Sequence, residues 1–344
     1  MGLIAEKTLA RIDEAIKSAR SASPGRAHLG ASIIGRECEA ELFWTFRWAD
    51  SAEHPARVLR LFARGEREEH VFNDLLRKAD VTVWDVDPDT NQQWAVEAVG
   101  GHFGGHLDGV LKGLAEVIEA LVSEQKTHND RSFKDVRAKG VENSKPEHYA
   151  QMQIYMHLMG LLFALYQAVN KNDDDLYLEI VEHDAAFAER LLAKAEKIIT
   201  SDFPLTRISD DATFYKCKWC DQADVCHTRR APQVNCRTCR WATPEIDGDA
   251  RWSCGKHHRD LSVEDQRVGC DGHNYLPTLL QSWADVIDFE DDWVTYRSRL
   301  NNQEFSNGHF GYSSNEIRAA HDLRAIGNPK IDEIREAFDG EIKW

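Results

Sequence analysis

The sequence lacks any long hydrophobic run. No window reaches the roughly 18 consecutive apolar residues of a membrane-spanning helix, and residues 1–18 instead alternate charged and apolar side chains at helical spacing. The chain also lacks internal repeats and low-complexity tracts. We therefore expect a cytoplasmic protein with no membrane partner.

The chain is also poor in positive charge. It contains 42 Lys and Arg residues against 58 Asp and Glu residues, a formal net charge of -16. Because phosphate affinity depends on Lys and Arg, this charge argues against a protein that coats nucleic acid through bulk positive potential. It leaves open a nucleic-acid enzyme with local cations and carboxylates that collect divalent metals. The length of 344 residues predicts about two domains.

Apolar spacing predicts a chain that mixes helices and strands. Helical periodicity covers residues 1–20, 37–49, 57–79, 146–169 and 185–200, and strand-like runs cover 81–101, 100–111, 117–127 and 176–181. The runs 100–111 and 117–127 are joined by a short connection, which is typical of a hairpin. Residues 214–275 carry seven of the eight cysteines and few apolar runs, so we expect metal to order them.

Three polar side chains on two adjacent predicted strands form a candidate metal site. Asp108 ends a glycine-rich strand, and Glu124 and Lys126 lie two residues apart in the next strand. Side chains at i and i+2 of a strand share one face. The carboxylates would hold Mg²⁺ or Mn²⁺, and the lysine would orient or deprotonate a water and stabilise phosphate charge. A turn aspartate beside a solvated strand face is the alternative.

The helix predicted before these strands offers a further acidic group. Glu69 lies three residues before Phe72, on the stripe with Leu61 and Leu76 that a helix turns inward. A carboxylate turned inward needs a metal or a basic neighbour. The spacing therefore favours Glu69 as the third acidic group, with His70 as the second candidate.

Downstream, a helix and a basic segment add candidate contacts. Gln151 and Tyr155 lie one helical turn apart on one face, although an ordinary core helix would also explain them. The segment between Lys126 and this helix is the candidate for phosphate contacts. Its cations are Arg131, Lys134, Arg137, Lys139 and Lys145. A solvated loop is the alternative for each of these side chains.

These motifs, in this order, resemble the RecB-like branch of the PD-(D/E)XK nucleases over about residues 25–230. The match is nearest to phage-encoded exonucleases and CRISPR-associated iron-sulfur nucleases. It implies an α/β, restriction-endonuclease-like fold, with a mixed sheet flanked by helices, and DNA cleavage with Mg²⁺ or Mn²⁺. The motif positions are Glu69 or His70, Asp108, Glu124, Lys126, Gln151 and Tyr155. Many relatives have histidine where this chain has His70.

The cysteines divide into two sets of four, and clustered thiols in a cytosolic protein favour metal over disulfides. The first set is Cys38, Cys217, Cys220 and Cys226. One early cysteine followed by a late C-x2-C-x5-C resembles the iron-sulfur staple of AddB-type and CRISPR-associated nucleases, which implies a 4Fe-4S cluster. Zinc or redox chemistry is the alternative for the C-x2-C pair alone.

The second set has the spacing C-x2-C-x14-C-x15-C and predicts a closed zinc site. Its members are Cys236, Cys239, Cys254 and Cys270, with His257, His258 or His273 as substitutes. Four unrelated free thiols are the alternative. Because these cysteines are confined to residues 236–270, we expect this set to order only its own segment.

Together these features predict a Mg²⁺- or Mn²⁺-dependent DNA exonuclease. We expect it to act in end processing or recombination on single-stranded DNA or free ends, with a recombination or replication protein as a candidate partner. The predicted segments are a nuclease core at 1–230, a Cys-rich metal-binding segment at 231–275 and an acidic region at 276–344. The alternatives are a non-catalytic, metal-stapled DNA-binding module of a repair complex and a CRISPR adaptation nuclease.

Overall fold

The fold is taken from a computed structural model, which describes residues 4–21, 26–51, 54–309, 311–338 and 340–341. None of the helices in these ranges combines the length and the apolar character needed to cross a membrane.

The first two hundred residues alternate helices and strands. In chain order the elements are α1 (Glu6–Ser21), β1 (Leu29–Gly30), α2 (Glu39–Phe46), α3 (Ala56–Lys78), β2 (Thr82–Trp84), β3 (Ala95–Ala98), β4 (Phe103–His106), β5 (Gly109–Lys112), β6 (Ala120–His128), α4 (Asp130–Ser144), α5 (Pro146–Met159), β7 (Phe163–Asn170), β8 (Leu176–Glu182) and α6 (Ala185–Thr200). The helices predicted at 1–20, 57–79 and 185–200 are confirmed as α1, α3 and α6.

The remaining elements are shorter. They are α7 (Tyr215–Lys218), α8 (Ala223–His227), β9 (Ala242–Pro244), β10 (Trp252–Cys254), β11 (Arg259–Leu261), α9 (Val263–Val268), β12 (Ala284–Phe289), β13 (Trp293–Ser298), β14 (Glu304–Gly308), α10 (Ser314–Ala319) and α11 (Pro329–Phe338). Short 3-10 helices lie at Ala31–Ile33, Cys236–Thr238, Pro277–Leu280 and Leu323–Ala325.

A five-stranded mixed sheet carries the candidate active site. Its strand order is β2-β5-β6-β7-β8, with β6 and β7 parallel and the other neighbours antiparallel. Helix α3 packs on β2 and β6, and α4 and α5 pack on β6 and β7. The expected α/β class, with a mixed sheet flanked by helices, is confirmed. The expected hairpin is confirmed by the antiparallel pairing of β5 with β6.

The predicted helix over residues 146–169 is wrong in its second half. Helix α5 ends at Met159, where Gly160 adopts the left-handed conformation with φ 67°, which glycine tolerates without a Cβ clash. The chain then enters β7, which is buried over nearly its whole length between β6 and β8. A strand buried on both faces is apolar throughout, so its sequence lacks the alternation that identifies exposed strands.

Two further expectations about local structure are corrected. The run at 100–111 is not one strand, because it breaks at Leu107 and Asp108 between β4 and β5. Strand β4 belongs to a separate sheet with the order β1-β4-β3. Cys38 was expected inside a helix, but it lies at the N-cap of α2 in an extended conformation.

The residues group into two compact units. The first comprises Met1–Arg36, Ala52–Val99 and Phe103–Ala195, and the second comprises Glu37–Ser51, Gly100–His102 and Glu196–Trp344. The division into separate domains at 1–230, 231–275 and 276–344 remains a prediction.

The acidic tail in the second unit builds an aromatic core on the sheet β12-β13-β14. Phe305 stacks on Trp283 and on Tyr296, with 5.2 Å between ring centroids in both pairs. The tail is therefore a packed part of the second unit, held by aromatic surface that is removed from water.

Candidate active site

Glu124 and Lys126 lie on one face of β6, as the E-x-K spacing predicts. The Glu124 side chain is 0% exposed and forms an ion pair with the Lys126 ammonium, which is 26% exposed. Besides Lys126, no described residue donates a hydrogen bond to either carboxylate oxygen of Glu124. Burial, partly offset by Lys126 and reinforced by Asp108, raises the pKa of Glu124 to about 7. Burial therefore disfavours the ionised Glu124 carboxylate, and an additional cation would stabilise it.

Asp108 lies at the break between β4 and β5, beside the E-x-K strand. Its Oδ2 accepts a hydrogen bond of 2.7 Å from the backbone N–H of Gln125, which fixes the carboxylate between Glu124 and Lys126. Burial alone would lower the pKa of Lys126. The carboxylates of Glu124 and Asp108 outweigh that effect and raise the pKa above its usual value. The structure therefore brings Asp108, Glu124 and Lys126 together.

Helix α5 places Gln151 and Tyr155 against the same region. Gln151 Nε2 donates to the Tyr155 hydroxyl at 3.2 Å, and that hydroxyl donates to the carbonyl oxygen of His106 at 2.9 Å. A Cβ at Gly105 would lie only 2.6 Å from the Tyr155 oxygen. Glycine at 105 is therefore required for the tyrosine to reach the strand that leads into Asp108.

The structure separates the two candidates on α3. Glu69 is half-buried and lines a cleft with Lys126, and burial, followed by the charge of Asp108, raises the pKa of Glu69 to about 7. His70 is exposed and lies near Asp85. The predicted inward stripe holds for Phe72, which is buried, but Leu61 is 38% exposed because it lines the open cleft.

The cleft has a volume of about 540 Å³ and contains side chains that the sequence analysis missed. His128 continues the stripe of Glu124 and Lys126 along β6, and His148 lies on α5. Both histidines contact the hydroxyl of Tyr166, at 2.7 Å from His128 Nε2 and 3.0 Å from His148 Nδ1. The i, i+2, i+4 spacing of the stripe could have identified His128, whereas Tyr166 is brought in by the parallel pairing of β7 with β6.

The basic segment is a helix, not the loop that was considered for it. Its buried Phe133 and Val136 lie three residues apart in α4, and Asn129 caps the first turn by accepting from the Ser132 N–H at 2.9 Å. Four of its cations pair with aspartates: Lys134 with Asp130, Arg137 with Asp175, and both Lys139 and Lys145 with Asp135. Arg131 is exposed, and Lys145 lines the cleft.

The first cysteine set converges in the second unit. Cys38 caps α2, Cys217 lies in α7 and Cys226 lies in α8. Burial, with added repulsion from the Cys38 and Cys226 thiols, raises the pKa of Cys220. The Gln222 N–H donates to the Cys220 sulfur at 3.4 Å. This all-thiol donor set, far apart in sequence and close in space, suits a soft metal or an iron-sulfur cluster.

The second cysteine set lines a small cavity in the same unit. Cys236, Cys239, Cys254 and Cys270 all border it. In the part of the chain that the structure describes, no three His, Cys, Asp or Glu side chains are already placed as a metal-ligand group. Metal binding at any of these sites therefore requires side chains to rotate toward one another.

Among known proteins, the chain is similar to several solved structures. No protein-family model and no curated protein matches the chain. SSO0001 has a TM-score of 0.39 and 16% identity, covering 65% of this chain and 96% of that chain. LHK-Exo in complex with dAMP has a TM-score of 0.37 and 18% identity, covering 54% and 90%.

The alkaline exonuclease LHK-Exo from Laribacter hongkongensis has a TM-score of 0.35 and 17% identity, again covering 54% and 90%. At these values each likeness concerns the arrangement of the backbone alone. The chemistry of the site has to be argued from the residues of this chain.

Proposed function

We propose that this protein is a metal-dependent DNA nuclease that hydrolyses phosphodiester bonds at DNA ends. The observation that carries the proposal is the buried Glu124 carboxylate, which lies beside Asp108 and has Lys126 as its one partner among the described residues. Two carboxylates that share one ammonium leave a negative charge uncompensated, which is costly unless a second cation joins them. Two hard oxygen donors fit Mg²⁺ or Mn²⁺.

Each side chain has a part in hydrolysis. Asp108 and Glu124 would hold the ion, which when bound polarises the phosphate and lowers the pKa of water. The Lys126 ammonium stabilises negative charge on the phosphate and orients the attacking water. Glu69 faces Lys126 from α3, and its raised pKa suits it to accept a proton near neutral pH. Gln151 and Tyr155 position the strand before Asp108.

The size of the cleft favours a DNA end over an intact duplex. A volume of about 540 Å³ suits a nucleotide-sized ligand. Two lysines, Lys126 and Lys145, lie in the cleft with three glutamates, and His128 and His148 supply flat, neutral surfaces. Single-stranded or frayed ends can present one nucleotide at a time to such a cleft. The substrate we propose is therefore DNA with single-stranded or free ends, cut by exonuclease action.

We further propose that Cys38, Cys217, Cys220 and Cys226 hold a 4Fe-4S cluster with a structural role. The cluster would join the start of α2 to α7 and α8 and so restrict the unfolded chain, as long-range cross-links do. Anaerobically purified protein should be brown, and Cys217→Ala should lose both the colour and much of the stability. A colourless anaerobic preparation that contains zinc alone would refute the cluster.

The nuclease proposal is tested by incubating end-labelled linear DNA and closed circular DNA with Mg²⁺, Mn²⁺ or a chelator. We expect metal-dependent release of nucleotides from linear DNA and little cleavage of the circle. The competing function, a non-catalytic DNA-binding module, predicts binding of the same DNA with no release under any metal. Equal cleavage of the circular substrate would overturn the exonuclease part of the proposal.

A further inference from the structure

The second cysteine set surrounds a space that fits a single ion. The cavity is about 50 Å³ and is bordered by Cys236, Cys239, Cys254, Cys270 and His257. Burial raises the pKa of the Cys236 thiol, and the other three thiols are near enough to raise it further. A space of this size holds one ion or one to a few waters.

Two tight turns present three of the four thiols. The Cys239 N–H donates to the Cys236 carbonyl at 3.0 Å, and Asn235 and Thr238 cap this turn reciprocally. The C-x2-C spacing of this turn is that of structural zinc sites. Cys254 ends β10 and pairs with Arg259 of β11, so it opens the second turn, which also carries His257.

The structure places one of the three candidate histidines beside a thiol of this set. His257 Nε2 lies 3.5 Å from the Cys270 sulfur. His273 is 4% exposed, and both ring nitrogens are engaged, Nδ1 with Ser314 Oγ at 2.8 Å and Nε2 with Asn235 O at 3.1 Å. His258 is not among the described residues that line the cavity.

We propose that Cys236, Cys239, Cys254 and Cys270 bind one zinc ion, with His257 hydrogen-bonded to the Cys270 sulfur. Four soft thiolates match the tetrahedral preference of zinc. Lys256 borders the cavity, and Arg259 interacts with the charges of Cys236 and Cys254, which offsets the negative charge of the thiolates. The Cys236 thiol now donates to the Asp265 carbonyl at 3.3 Å. Zinc binding would break this weak hydrogen bond and rotate the Cys236 sulfur toward the cavity.

The site would act well beyond its own segment through Arg237, which lies between two of the ligands. Its guanidinium donates to Phe46 O at 2.9 Å and stacks over the rings of Trp48 and Trp252 at 3.7 and 4.9 Å. Its own carbonyl accepts from Arg47 Nη1 at 2.9 Å. These contacts fix the end of α2, the helix that Cys38 caps.

The contacts of Arg237 extend the expected effect of this set beyond its own segment. The turn that carries Cys236 and Cys239 is tied to residues about 190 positions earlier in the chain. Loss of zinc should loosen α2 as well as residues 236–270.

The test is metal analysis of the full-length protein purified without added zinc. We expect one zinc per chain in the wild type and in Cys217→Ala, and none in Cys254→Ala or Cys270→Ala. His257→Ala should retain the zinc stoichiometry but bind about 10- to 100-fold more weakly, as expected for a residue that supports a ligand. Zinc retained in Cys254→Ala, or iron in this site, would overturn the assignment.

The wild-type protein provides a test that does not depend on the folding of variants. Titration with a mercurial thiol reagent should release zinc as the four thiols react. Removal of the zinc by a chelator, which leaves the Cys38 thiol unmodified, should increase hydrogen exchange in residues 39–46 as well as in 236–270. No zinc release on complete thiol modification would refute the site. Increased exchange confined to 236–270 would refute the link through Arg237.

Discussion

The Lys126 ammonium forms an ion pair with the Glu124 carboxylate two residues before it, and that carboxylate is completely buried. Removal of one partner from a buried pair leaves an uncompensated charge, whereas removal of both does not. Without metal, Lys126→Met should therefore lower the free energy of unfolding by about 3 kcal/mol. The double variant Glu124→Gln, Lys126→Met should recover most of that loss. Urea unfolding of the wild type, Lys126→Met, Glu124→Gln and the double variant in chelator measures this coupling. Strictly additive losses would show that the pair is not coupled.

Glu69 should matter for cleavage more than its neighbour His70, because only Glu69 lines the cleft with Lys126. Glu69→Gln should reduce the rate of nucleotide release by about 10²-fold, the usual effect of losing a general base. His70→Asn should stay close to the wild-type rate. Both are measured at matched metal concentration. If only the histidine change abolishes release, the placement of these two residues on α3 has been misread.

His128 should make stability depend on pH. Burial, followed by the charges of Lys145, Lys171 and Lys126, lowers its pKa from 6.5 to about 4. As pH falls below 6.5 the unfolded chain takes up the proton first, so stability is lost between pH 6.5 and 4. The loss should reach on the order of 3 kcal/mol.

Thermal or urea unfolding at pH 7.5 and pH 5 checks this dependence. The change between the two pH values should be smaller in His128→Asn than in the wild type, and unaltered in the control His321→Gln, which changes an exposed histidine. An equal pH dependence in His128→Asn and the wild type would contradict the assignment. His148, which shares the Tyr166 hydroxyl and whose pKa is also lowered by burial, should contribute in the same direction.

Gly105 should be intolerant of any side chain because of Tyr155. Gly105→Ala should destabilise the protein by about 1–3 kcal/mol, since the added Cβ would overlap the tyrosine hydroxyl. Tyr155→Phe removes that oxygen, so it should relieve part of the clash when combined with Gly105→Ala. Gly65→Ala is the matched control, because a Cβ there meets nothing within 4 Å and alanine favours the helix. Equal effects of the two alanine changes would refute the steric argument.

The sequence predicted the parts of the fold and site that depend on short spacings. The placement of Glu124 and Lys126 on one face follows from the two-residue period of a strand. The face of Glu69 and the contact of Gln151 with Tyr155 follow from the helical repeat. These patterns are local, and β6, α3 and α5 preserve them.

The parts that depend on the pairing of distant segments were not predicted. The sequence did not predict strand β7, because a strand buried on both faces lacks the alternation of apolar and polar residues. The contact of Tyr166 with His128 was therefore not predicted either. The burial of Arg237 against Trp48 could not be predicted from a charged residue in a short C-x2-C motif. The aromatic stacking of Phe305 in the tail likewise depends on which strands pair.

We propose that Glu124 belongs to a catalytic metal site, and the rates of three proteins distinguish this role from a structural one. Release of nucleotides from end-labelled linear DNA in Mn²⁺ is measured for the wild type, Glu124→Gln and Glu119→Gln, the last being an exposed glutamate just before the same strand. We expect Glu124→Gln to lose at least about 10²-fold in rate while remaining folded, and Glu119→Gln to cleave DNA like the wild type. Undiminished release by folded Glu124→Gln protein would contradict it.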